Sequence, residues 1–146
     1  MTNVTETSQA FVQTYLQRSW TVADGLPETV IRKAEARLGI SLPPPLRAFH
    51  LSVGAVADLC NIHNTILHPK DIDFEEGYLM IMDENQSVVS WGIKKADLKK
   101  PDPIIWQRNN QADKWYSEKK GFLELLASML DWYSEIGVWK HIYKAH

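Results

Sequence analysis

With 146 residues, 45% of them apolar and 23% charged, the chain fits one globular domain and excludes fibrous or disordered classes. A net charge of −2 excludes the basic footprint of a nucleic-acid binder, and no apolar run approaches the ~18 residues that span a bilayer. The lone Cys60 cannot form an internal disulfide, and the opening MTNVTETSQA has no basic region leading into an apolar one. A soluble cytoplasmic protein is therefore expected.

The first third of the sequence predicts short helices. In SQAFVQTYLQRSW, Phe11, Val12, Tyr15 and Leu16 recur at helical spacing. LPETVIRKAEARLGI is a clearer helix. Pro27 and Glu28 suit a first turn, Val30, Ile31, Ala34 and Leu38 form one stripe, and Gly39-Ile40 resembles a C-cap with its apolar partner. Pro43 to Pro45 then lead into a third helix with a face of Leu46, Phe49 and Val53, ending at Gly54.

From residue 78 the period changes to two. Tyr78, Met80 and Met82 alternate with Leu79 and Ile81, and Val89, Trp91 and Ile93 share a face. Asp83 to Gln86 lie between as turn formers, which predicts an antiparallel hairpin. PDPIIWQ and KWYSE predict two more strands joined by NNQAD, with Pro101 and Pro103 confined to a strand entrance or an edge. A last helix at about residues 121 to 135 carries Phe122, Leu125, Leu126, Met129 and Trp132/Tyr133 at helical spacing. The tail GVWKHIYKAH places Val138, Trp139, Ile142 and Tyr143 on one potential face. Helices, then an antiparallel sheet, then a helix make an α+β fold.

Three kinds of chemistry can be weighed. Asp102 after Pro101, followed by Glu118-Lys119-Lys120, has the order of a Mg²⁺-dependent nuclease, in which two carboxylates hold the metal and Lys120 would sit near the attacking water. The spacing is loose, however. Asp102 lies between two prolines, where starting a strand is the simpler role, and the basic surface that would hold DNA is missing. Cys60, His63, His68 and Asp71 are zinc-ligand types in a short stretch, but without paired spacing; a buried Cys and surface His residues explain them. No GxSxG or Gly-rich phosphate loop occurs. No catalytic residue, metal or cofactor is assigned. What survives is charge: Asp71, Asp73, Glu75, Glu76, Asp83 and Glu84 fall in one stretch with no Lys or Arg among them. A solvated loop is one account; a negative patch that steers a basic partner is the other.

The order LPETVIRKAEARLGISLPPPLRAFHLSVGA, then GYLMIMDENQSVVSWGI, then DPIIWQ, Trp115 and FLELLASML resembles the SUKH superfamily, known also for its fungal cell-wall-assembly regulators. The resemblance runs from about Leu26 to Leu130. The family's ENQ…WGI element corresponds to Glu84-Asn85-Gln86 and Trp91-Gly92-Ile93, and its DP to Asp102-Pro103. The chain departs from the family at Ile104-Ile105, where a proline or valine is common, and at Lys119-Lys120-Gly121, where Ser or Thr often caps the last helix. The resemblance implies an α+β fold with helices around a central antiparallel sheet, and no catalysis. That no nucleic acid or membrane is bound directly is expected from the charge and the lack of a spanning run. Bacterial members resemble immunity proteins that bind a cognate toxin, often a nuclease or deaminase; eukaryotic members resemble regulatory scaffolds. The expectation is therefore a monomeric or homodimeric binding protein whose partner is a toxin with a basic cleft. It would be met by Asp73, Glu75, Glu76, Asp83 and Glu84, with Trp91 or Trp106 as aromatic anchors. Trp91 suits a core equally well.

Overall fold

In the computed structural model the described residues are 3–135, and they form the expected α+β fold. The tail face of Val138, Trp139, Ile142 and Tyr143 lies outside them. Helix α1 runs Val4–Leu16, four residues earlier than its apolar spacing alone indicates. The shift has a local cause: Asn3 Oδ1 accepts from the backbone N–H of Thr5 and Glu6 at 3.0 and 3.1 Å, satisfying donors the helix leaves open. Gln17, left-handed at φ 55°, ends it.

Helix α2 (Glu28–Leu38) starts just after Pro27 and stops at left-handed Gly39, and α3 (Pro44–Val53) carries Pro44 in its first turn, where no N–H is needed. Leu46, Phe49 and Val53 are fully buried. Helix α4 is one turn, Ala57–Cys60. Helix α5 (Phe122–Glu135) packs with α1 and α3 as a single layer. Phe122 meets Phe49 edge-on at 5.4 Å, and the Tyr15 hydroxyl donates to Asp131 Oδ1 at 2.6 Å, joining α1 to α5.

Strands β1 (Asn64–Ile66), β2 (Asp73–Glu75), β3 (Tyr78–Glu84), β4 (Val89–Lys94), β5 (Ile105–Asn109) and β6 (Lys114–Ser117) form one antiparallel sheet. The path is β1-β3-β4-β5-β6, and β2 shares with β1 the same edge of β3. Strand β1 pairs with the end of β3 (Ile66 opposite Met82) and β2 with its start (Glu75 opposite Tyr78). Between them the chain leaves the sheet through a 3₁₀ turn at Pro69–Asp71. Pro101 and Pro103 precede β5, so no central-strand N–H is lost.

The β3–β4 hairpin differs from a simple alternation in two ways. Asp83 and Glu84 belong to β3, and the turn is formed by the residues between Glu84 and Val89, with Ser87 at φ 57°. The register also shifts between Met80 and Met82, so Met82 faces Trp91 on the helix side instead of sharing a face with Tyr78 and Met80. Met82 is therefore buried with Leu79 and Ile81.

Candidate partner-binding site

The acidic stretch is not a loop. Most of it is two strands joined by Glu76-Gly77, with φ of 54° and 84°, and Glu75 paired with Tyr78. Positive φ at both loop residues is the type I′ geometry whose twist matches a hairpin. This tight turn was missed because Glu-Gly is a weaker signal than Asn-Gly, and three-residue strands show no usable period.

The tip of that hairpin is held across the open face of the sheet. Arg108 on β5 lies 3.4 Å from Glu75 and 3.8 Å from Glu76, and the Trp115 Nε1–H donates to Glu76 Oε2 at 3.3 Å. The Tyr78 and Trp115 rings stack face to face at 3.6 Å and 7°. Tyr78 is on β3 and Trp115 on β6, three strand spacings of ~4.8 Å apart. Their contact therefore requires the sheet to coil, making this face concave. Trp106 joins the group, with Lys94 Nζ 4.1 Å from its ring centre and Tyr78 at 6.5 Å.

Gly92 lies beneath this arrangement. A Cβ there would sit 3.0 Å from the Leu79 carbonyl oxygen and from Met80 Sδ, and 3.2 Å from Tyr78 Cβ. The missing side chain lets Tyr78 and Met80 lie close over β4. That gives the Trp-Gly-Ile run a packing explanation.

Beside the clasp, where β1 and β2 part, is a cleft of about 400 Å³. Asp71, Asp73, Glu75 and Asp83 line it together with Phe74 and Met80. Asp73 is well exposed and only 3.9 Å from Arg37, while Asp83 accepts from the Ser90 hydroxyl at 2.7 Å. Among the described residues neither Asp71 nor Asp83 has an ion pair. The expected acidic residues thus divide. Asp73, Glu75 and Asp83 converge on the cleft; Glu76 is drawn onto Arg108 and Trp115; Glu84 accepts from the Val88 N–H at 3.3 Å near the far hairpin turn.

The two tryptophans divide as well. Trp106 is half-buried on the open face, while Trp91 is 4% exposed, opposite Met82, with its indole donating to Glu118 Oε2 at 2.8 Å. Trp91 is a core residue and presents no ring surface to a partner. Sequence reasoning missed Arg108, Tyr78 and Trp115. Only their strand alternation could have placed them together, because no local motif links them.

The residues of the nuclease pattern are placed differently. Glu118 is committed to the Trp91 indole, whereas Asp102 lies against Gly121 at the start of α5, where a Cβ would overlap its carboxylate. Partial burial, and secondarily Glu124, raises the Asp102 pKa. Of the zinc-ligand types, the Cys60 thiol faces the Val53 and Gly54 carbonyls at 3.7 Å, and burial pushes its pKa up to about 12. His63 packs on Trp132 and Tyr133, and His68 Nδ1 accepts from the Lys70 N–H at 3.0 Å. Among the described residues no group of three or more His, Cys, Asp or Glu is arranged to hold a metal, and no helix is long and apolar enough to cross a membrane. Comparison with protein-family models, curated proteins and solved structures found no match.

Proposed function

We propose that this chain is a non-catalytic cytoplasmic binding protein of the SUKH type, an immunity protein that neutralises a nuclease or deaminase toxin by covering its basic active-site cleft. The observation that carries this reading is the cleft where β1 and β2 separate. Asp71, Asp73, Glu75 and Asp83 converge there around Phe74 and Met80. A toxin that grips phosphates presents cations, and a ring of carboxylates with an apolar floor offers them paired charge and a place for the side-chain stem. An interface of roughly 1,600 Å² around such a cleft is enough to occlude an active site. Exposed carboxylates chiefly raise the association rate, so affinity has to come from packing on the half-buried rings of the open face, Trp106 and Trp115.

The test is capture on the tagged chain from lysate of the native host, with the bound protein identified by mass. One stoichiometric partner is expected, carrying a nuclease or deaminase domain that this chain inhibits. Reversing Asp71 and Asp73 to Lys should slow its association at least about tenfold at low salt, an effect that fades as salt rises. Recovery of signalling or envelope proteins in place of a toxin would overturn immunity in favour of a scaffold. A toxin bound equally fast by the reversed variant would refute the cleft as its docking site.

A further inference from the structure

The outer edge of β6 carries a self-complementary pattern, and we infer that two copies of this chain pair there, antiparallel, to join their sheets. Strand β6 ends the sheet path, and left-handed residues bound it: Asp113 at φ 53° and Lys119 at φ 59°. The Glu118 N–H donates inward to the Ile105 carbonyl at 3.0 Å. Alternation then turns the N–H and C=O groups of Lys114 and Tyr116 inward, toward Asn109 and Gln107, and those of Trp115 and Ser117 outward. On the other side of β5 the Asn110 N–H donates to the Val88 carbonyl at 2.9 Å, which fits the same alternation. Among the described residues the outward groups of Trp115 and Ser117 have no partner. Tyr116 between them is 53% exposed.

Charge selects the register. With Tyr116 opposite Tyr116 of the second copy, Trp115 and Ser117 exchange backbone hydrogen bonds across the axis at two symmetric positions. Lys114 then faces Glu118 of the second copy, whose Oε2 accepts from its own Trp91 indole, so that Oε1 is the oxygen left to meet the ammonium. Tyr116 falls at the non-hydrogen-bonded pair, where facing side chains come closest. A shift by two residues in one direction sets Lys114 opposite Lys120, and in the other sets it opposite Tyr116, so only the first register pairs opposite charges. A contact made by one short strand is small compared with stable interfaces, so the dimer forms at high protein concentration and dissociates on dilution. This surface is on the opposite edge of the sheet from the acidic cleft, and the inference does not depend on the proposed function.

Sedimentation velocity on the full chain, from low micromolar to near-millimolar protein, tests it. The expected result is a reversible shift from monomer to dimer. Ser117→Pro removes an outward N–H without touching the β5–β6 ladder and should abolish the shift. Lys114→Glu, at an exposed side chain, should weaken the dimer about tenfold by setting like charges opposite at two symmetric positions. It also serves as the test if Ser117→Pro loses its native far-ultraviolet spectrum. A monomer at every concentration, or a dimer left unchanged by Lys114→Glu, would overturn the inference.

Discussion

His50 shows how one side chain can oppose the stability of the fold that holds it. It is 1% exposed on α3, and neither ring nitrogen has a hydrogen-bond partner among the described residues. An unsatisfied buried polar group costs about 1–3 kcal/mol. His50→Leu, similar in size and apolar, should therefore raise the unfolding free energy at pH 7 by about 1–2 kcal/mol in urea titrations; an unchanged value would mean that buried water satisfies the ring. Burial, and secondarily the nearby His68, depresses the His50 pKa to about 3. The unfolded chain thus takes up this proton first, near pH 6.5. Stability falls as pH drops from 6.5 toward 3, by about 1.4 kcal/mol per unit, and unfolding curves of His50→Leu should lack this component. Gly92 makes the converse point: Gly92→Val should cost about 1–3 kcal/mol by pressing on the Leu79 carbonyl and Met80, and Met80→Ala should recover part of that by freeing the Sδ position. Both roles depend on neighbours distant in sequence. Nothing in the sequence singles out His50, and Gly92 enters only as part of Trp91-Gly92-Ile93.

Among the elements, length and period decided what could be read. Helices α2, α3 and α5 and strands β3 to β6 carry repeats long enough to declare themselves, with Pro and Gly marking their ends. Strands β1 and β2 have three residues each, too few for a period, and the β3 register shift cannot be seen in an alternating run. The acidic stretch was therefore recognised by charge, while the hairpin that shapes most of it was not. That hairpin is tied by Arg108, whose guanidinium is mostly shielded while its carboxylate partners are about half exposed. Arg108→Met should cost less than about 1 kcal/mol globally, since exposed ion pairs contribute little. Hydrogen exchange at Gly77 and Tyr78 should nevertheless speed up clearly, because the strand tip loses its anchor.

For the whole molecule, one helical layer lies against one face of the sheet, and the buried side chains form one continuous cluster from Phe11 to Tyr133. Asn64 on β1 donates to the Tyr133 hydroxyl at 2.8 Å, so the outermost strand is anchored to the last helix and not only to β3. Such a body should unfold in one step. Phe49→Ala, at the meeting point of α3 and α5, should cost about 3–5 kcal/mol, with tryptophan fluorescence and far-ultraviolet dichroism still changing together. Two separated transitions would show that the helices and the sheet are independent units. The Tyr78–Trp115 stack has an optical consequence. Its two rings belong to strands that are not neighbours, so they overlap only while the sheet stays curled. Their coupled absorption is thus a built-in gauge of curvature: a ligand that flattens the sheet would announce itself in the near-ultraviolet dichroism of the unlabelled protein, and one that merely sits on it would leave that signal still.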